Sequence, residues 1–171
     1  EEAVPILEAM TYRFPEKKNY YRQLAALYAE LKREEDSFHI QQIMFSKDML
    51  EKHDELLRIA QLYLFYEVPY KAALILEKEL ESGRIKDEEK NWEQLANAWL
   101  SAREWKKAIP PLKKAAEMSE DGELFLRLGQ TFMQEENWKE AEEYIKYAIK
   151  KGDLDNPGRA WLLLGITRNK K

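Results

Sequence analysis

The sequence contains no cysteine, which excludes a disulfide framework, a thiolate zinc site and a cysteine nucleophile. Its two histidines, His39 and His53, stand apart with no partner at metal-ligand spacing. Val, Ile and Thr together number 15, against 22 Leu and 17 Ala, a balance that favours helix and argues against a β-sandwich or barrel. Glycine and proline, six of each, are too scarce for many tight turns. The longest apolar run, Ala160–Ile166, is far too short to span a bilayer, and no signal-peptide pattern is visible. Neither sign of charge dominates: 28 basic residues are mixed among 32 acidic ones for a net charge of −4, without the basic field that bulk nucleic-acid binding needs.

What is present is a charged but foldable chain. Its 171 residues suit one domain or one continuous stack. Charged residues reach 35%, above the usual quarter or so, yet the hydrophobic share stays at 44%, too high for a disordered polyelectrolyte.

The chain repeats itself. Small residues following Leu or Ile occur at Leu24-Ala25, Ile59-Ala60, Leu95-Ala96, Leu128-Gly129 and Leu164-Gly165, with spacings of 35, 36, 33 and 36. Three residues before each Leu or Ile stands Tyr21, Leu56, Trp92, Phe125 or Trp161. Three after each small residue except the last stands Tyr28, Tyr63, Trp99 or Phe132. Twelve residues beyond come Ser37, Ala72, Ala108 and Ala141, with Ala3 in the same register upstream. Four further on come Leu7, Gln41, Leu76, Leu112 and Ile145, of which Gln41 is the misfit. Positions i, i+3, i+4 and i+7 share one helical stripe. A single pair of such helices cannot bury its stripes, but stacked pairs can, and the small residues let helices approach closely.

This pattern resembles the tetratricopeptide repeat (TPR), with its W-x₂-L-G-x₂-Y and A-x₃-F signatures. The stretch Trp92-x-x-Leu95-Ala96-x-x-Trp99 with Ala108-x-x-x-Leu112 is a close match, as is Phe125-x-x-Leu128-Gly129-x-x-Phe132 with Ala141-x-x-x-Ile145. Pro15 matches the motif's proline. The resemblance implies an all-α, right-handed α-α superhelix of about ten helices. We expect a lone helix B over Val4–Arg13 (1–17), full repeats over 18–52, 53–88, 89–121 and 122–157, and a lone helix A over Arg159–Asn169 (158–171).

Local signals sharpen this expectation. Gly83 and Gly152 read as C′ residues closing second helices, and Pro69 suits a first helical turn. Asn137 with Glu140 reads as a capping box. Segments 81–87 and 151–158 account for the two 36-residue spacings as loop insertions. Pro5 and the Pro110-Pro111 pair fall inside predicted B helices, which are expected to start late or bend.

No catalytic constellation stands out, and no enzyme activity or cofactor is expected. Acid pairs such as Glu34-Glu35, Glu135-Glu136 and Glu142-Glu143 are adjacent in sequence, so their side chains diverge. On helix A, the residue after the small one and those two before and five after it point away from helix B, toward the concave face. They include Gln23, Arg58, Gln61, Phe65, Gln94, Asn97, Arg127, Gln130 and Gln134, joined by Arg22. Gln61, Asn97 and Gln130 form a series of carboxamides, one per repeat, each with a donor and an acceptor suited to an extended peptide backbone. Arg22, Arg58 and Arg127 suit carboxylates, and Leu64, Phe65 and Met133 offer shallow apolar contacts. The expected partner is therefore a protein or peptide segment with some acidic character, bound in the groove, with no nucleic acid and no membrane insertion.

Two narrower comparisons follow from the resemblance. TPR proteins that capture chaperone C-termini use a Lys/Asn/Lys/Arg clamp, and the matching places here hold Arg22, Ala26, Arg58, Lys90 and Gln94, without the asparagine pair. The runs Tyr21-Arg22-Gln23-Leu24-Ala25, Ala60-Gln61-Leu62-Tyr63-Leu64 and Gly122-Glu123-Leu124-Phe125-Leu126-Arg127-Leu128-Gly129-Gln130 look like TPR proteins encoded beside TonB–ExbB–ExbD systems of Gram-negative bacteria. That resemblance implies a periplasmic scaffold assisting TonB-dependent uptake. The alternatives are an adaptor in another assembly, cytoplasmic or secretion-related, and an RNA-binding repeat. The last is disfavoured by Glu30, Asp54, Glu93 and Glu123 on the inner face. The strongly apolar last helix, Ala160–Ile166, predicts either a longer native chain or end-to-end self-association through the terminal helices.

Overall fold

The computed structural model describes residues 2–170. Among them are ten α-helices and no strand: α1 (Ala3–Arg13), α2 (Lys18–Glu30), α3 (Glu34–Ser46), α4 (His53–Phe65), α5 (Pro69–Glu81), α6 (Glu89–Ser101), α7 (Trp105–Met118), α8 (Glu123–Gln134), α9 (Trp138–Lys151) and α10 (Pro157–Lys170). They follow the expected alternation of first (A) and second (B) helices. The chain divides into two compact units, residues 1–62 and 63–171, with the boundary inside α4.

In the first unit α2 packs on both α1 and α3. Tyr21 and Tyr28, the motif aromatics of α2, are buried, and their hydroxyls donate back to α1, to the Thr11 carbonyl at 3.2 Å and to Glu8 Oε1 at 2.5 Å. Burial, followed by the Glu8 carboxylate, pushes the Tyr28 phenol up to about 12. The Ser37 hydroxyl donates to the Ala25 carbonyl at 2.8 Å, which fixes the two small positions at one crossing. The misfit Gln41 does not interrupt α3, because Phe38, Ile40 and Met44 supply its buried face.

In the second unit α5 to α10 pack in sequence, each on the next. Ala96, Leu112, Ala115, Ala116, Leu124–Leu126, Leu128, Ile145, Ala148, Ala160 and Leu164 form one buried cluster. Gly129 shows why its position must be small. A Cβ there would lie 2.6 Å from Ile145 Cγ1 and 3.3 Å from the Ala141 carbonyl oxygen, both on α9. Ala72, Ala108 and Ala141 are fully buried at the reciprocal position of their B helices.

The four A-to-B turns are built alike. Each spans three residues, 31–33, 66–68, 102–104 and 135–137, and its middle residue is left-handed: Lys32, Glu67, Arg103 and Glu136 have φ between 54° and 60°. The third residue donates its N–H to the carbonyl of the motif aromatic, Arg33 to Tyr28, Val68 to Tyr63, Glu104 to Trp99 and Asn137 to Phe132, over 2.8–2.9 Å. This is the Schellman closure.

That closure overturns one expectation. A capping box at Asn137 needs that residue's N–H free for the Glu140 side chain. The N–H is already given to Phe132, and Asn137 makes no side-chain cap bond. The late start expected for the proline-bearing helices is also absent. Helix α7 begins at Trp105, three residues before its small position like α5 and α9, and runs through Pro110 and Pro111. Buried Ala108, Leu112, Ala115 and Ala116 hold it across the two missing backbone donors. Pro5 falls at the third position of α1, where an N–H would have no intrahelical partner. Gly83 and Gly152 adopt left-handed φ at the ends of α5 and α9, and Pro69 opens α5.

The insertion 82–88 is ordered by charge. Glu79 is fully buried on α5, and Arg84 approaches it at 2.5 Å (Nε to Oε2) and 2.8 Å (Nη2 to Oε1). Farther along, Asp87 accepts from the Trp92 indole N–H at 2.5 Å and from Lys114 at 3.1 Å, which lowers its carboxyl below the usual range.

Candidate functional site

The repeat leaves each A helix with two kinds of face. The motif aromatics and small residues are consumed by helix contacts: Trp99 is completely buried, edge-on to Tyr70 at 5.2 Å, and Phe132 stacks on Tyr144 at 5.3 Å. The residues beside them in sequence remain accessible. In the first unit, Arg22 and Gln23 on α2 and Arg58 and Gln61 on α4 are all exposed. In the second, Phe65 and Gln134 are exposed, whereas Gln94 and Asn97 on α6 and Arg127 and Gln130 on α8 are half-buried.

Within the first unit, the Arg22 guanidinium and the Lys18 ammonium (3.2 Å) both hold Glu55. Glu55 also accepts the backbone N–H groups of Glu51 and Lys52, each at 3.2 Å, at the entrance to α4. Burial alone would push its carboxyl up. The Arg22 bond, the two backbone donors and Lys18 outweigh it and hold the group at about 2.

Within the second unit, Arg127 bridges its own helix to α6. It donates to Glu93 Oε1 at 2.6 Å and to the Asn97 side-chain carbonyl. Two predicted residues, Asn97 and Arg127, are thus brought together. The Asn97 amide nitrogen is left as its donor for a ligand. Gln94, Gln130, Gln134 and Phe65 present their side chains without joining this network, and Phe65 sits edge-on to Tyr66.

Sequence reasoning treated the arginines as open to a partner's carboxylates. Two of the three already hold carboxylates of this chain, Arg22 with Glu55 and Arg127 with Glu93; Arg58 forms no ion pair among the described residues. The signal for both pairs was opposite charges about one repeat apart on the A-helix face. Met133 is also partly withdrawn, packing against the buried cluster. A shallow depression elsewhere, lined by Lys139, Glu142, Lys146 and Tyr147 on α9, involves none of the predicted residues. Among the described residues no group of three or more acids and histidines is placed to hold a metal, and no helix is long and apolar enough to cross a membrane.

No protein-family model matches the chain, and no curated protein matches its sequence. Solved structures do match its fold. A structure of MamA AMB-1 aligns with TM-score 0.65 at 19% identity, covering 90% of this chain and 81% of its own. YrrB, described as a TPR protein with an unusual peptide-binding site, aligns with TM-score 0.63 at 19% identity over 95% of this chain and 82% of its own. MamA residues 41 to the end from Desulfovibrio magneticus RS-1 gives 0.55 at 15% identity, over 88% and 84%. At these identities the likeness establishes a TPR-like fold and nothing narrower.

Proposed function

We propose that this protein is a non-catalytic scaffold that holds an extended segment of a partner protein against its A helices. The observation that carries this reading is the separation of faces. Ala96, Trp99, Phe125 and Gly129 of α6 and α8 are buried in helix contacts, whereas the carboxamides of Gln94, Asn97 and Gln130 beside them are half-buried and keep part of their surface in solvent. A carboxamide reads peptide backbone through one donor and one acceptor. Gln130 offers both, and Asn97, its carbonyl engaged by Arg127, offers its amide nitrogen. Gln61 supplies the same chemistry in the first unit. Because Arg22, Lys18 and Arg127 are internally paired, the acidic preference rests on Arg58. That YrrB is described as having a peptide-binding site supports peptide capture by this fold.

A peptide selected from a random display library on the whole chain serves as the probe. Changing Asn97 and Gln130 together to Ala should weaken that peptide's binding by about tenfold or more, the loss of roughly two hydrogen bonds, with the melting temperature little changed. Full affinity in the double variant rules this surface out.

The periplasmic, TonB-associated role rests on the three sequence runs around Tyr21, Ala60 and Gly122. Fractionating the source organism's cells with an antibody to the protein tests it: recovery with periplasmic markers agrees, and recovery with cytosolic markers ends it.

A further inference from the structure

Two helices, α1 and α10, expose the two halves of a crossing of the kind that α8 and α9 keep buried. In the covered pair, Gly129 of α8 lies against Ala141 and Ile145 of α9. The counterpart of Gly129 on α10 is Gly165, where a Cβ would meet nothing within 4 Å. Around it Trp161 and Leu162 are 60% and 65% exposed, whereas Phe125 and Leu126, in the same register of α8, are 6% and 1% exposed. The reciprocal half is on α1. Ala3, in the register of Ala141, is exposed, unlike Ala72, Ala108 and Ala141, and Ile6 beside it is 64% exposed. Leu7, in the register of Ile145, is half-buried.

We infer that α1 of one copy docks on α10 of a second copy in the place that α9 takes on α8, putting Ala3 and Leu7 against Gly165. Charge favours this pairing. An A helix ends beside the start of its B helix, so Lys170 in the last turn of α10, next to Arg168 that already holds Glu142 at 3.2 Å, meets the acidic Glu2, and the positive end of the α1 dipole is set against the negative end of α10. A surface with four large apolar side chains, Trp161, Leu162, Ile166 and Ile6, is drawn out of water. The contact joins unlike faces, so a pair of copies keeps one free α1 and one free α10, and association continues past two unless a ring closes.

Sedimentation equilibrium of the 171-residue chain tests this. The mean mass should rise with concentration beyond that of a dimer. Gly165→Val fills the space that α1 needs, and Ala3→Arg blocks the other half. Each variant alone should stay monomeric with an unchanged melting temperature, its affinity lowered about tenfold or more. An equal mixture of Leu162→Glu and Ile6→Glu variants, each monomeric alone, should reach dimer mass and stop there, since each keeps the face that the other has lost. Mixing wild type with an excess of Ala3→Arg should instead shorten the assemblies, because the variant still offers its α10. A strictly monomeric wild type at the highest concentration overturns the inference. So does Ala3→Arg dimerising alone, which would mean that α10 pairs with another α10.

Discussion

Helices α8 and α10 carry nearly the same pattern, Phe125-Leu126-x-Leu128-Gly129 and Trp161-Leu162-x-Leu164-Gly165, and differ in what lies over them. On α8 the pattern disappears beneath α9, down to a glycine that tolerates no further atom. On α10 the inward Leu164 is buried and the rest faces solvent. A side-chain pattern therefore states which face of a helix wants cover. Only a neighbouring helix converts that want into stability.

Paired substitutions separate the two helices most sharply. Leu126→Ala should destabilise the chain by about 2–4 kcal/mol through lost burial and a cavity. Leu162→Ala should change the stability of the monomer by less than about 0.5 kcal/mol. Both are read by urea denaturation at low protein concentration. Equal losses at the two sites would erase the distinction.

Filling the glycines should be asymmetric too. Gly129→Val is expected to cost about 2–3 kcal/mol, since the new side chain overlaps Ile145. Gly165→Val should be neutral or stabilising by up to about 0.5 kcal/mol, because a mid-helix glycine is replaced without a clash.

A third test lies away from both helices and should leave their contrast untouched. The Glu55 carboxyl is lowered in the folded protein. Its contribution is complete above the ordinary value of about 4.3 and is lost as pH falls toward about 2. Allowing for the partial exposure of Arg22, we expect about 1–2 kcal/mol of acid-dependent stability. Glu55→Gln should remove it, giving a flatter stability curve between pH 5 and pH 2 in chemical denaturation series.

The smallest effect concerns the turns. Lys32 and Arg103 hold left-handed backbone without being glycine. Lys32→Gly and Arg103→Gly should each stabilise by about 0.5–1 kcal/mol, the relieved strain exceeding the added chain entropy. Thermal melts of the two variants check this.

Much of the architecture was legible because it depends on side-chain size at fixed intervals. Ala25, Ala60, Ala96 and Gly129 marked the A helices, and Ser37, Ala72, Ala108 and Ala141 the B helices, so the number of helices and their sequential pairing followed. What escaped depends on which group claims a hydrogen bond first. Asn137 and Glu140 have the spacing of a cap, but the turn takes the Asn137 N–H. Pro110 and Pro111 look disruptive until the burial on either side of them is known. Glu79 and Arg84 are five residues apart across a turn, and their spacing gave no reason to expect a buried pair. In the candidate site, helical angle alone indicated which carboxamides lie off the helix contacts, while the pairing of Arg127 with Glu93 and Asn97 required knowing how closely α6 and α8 approach.

The central claim is that small residues exist where one helix must press against the next. A double-mutant cycle between Gly129→Ala and Ile145→Ala tests it most directly. The account predicts that removing the Ile145 side chain relieves the overlap, so that the methyl at 129 becomes neutral or favourable and the two changes couple by about 1–2 kcal/mol. Strictly additive effects would contradict it.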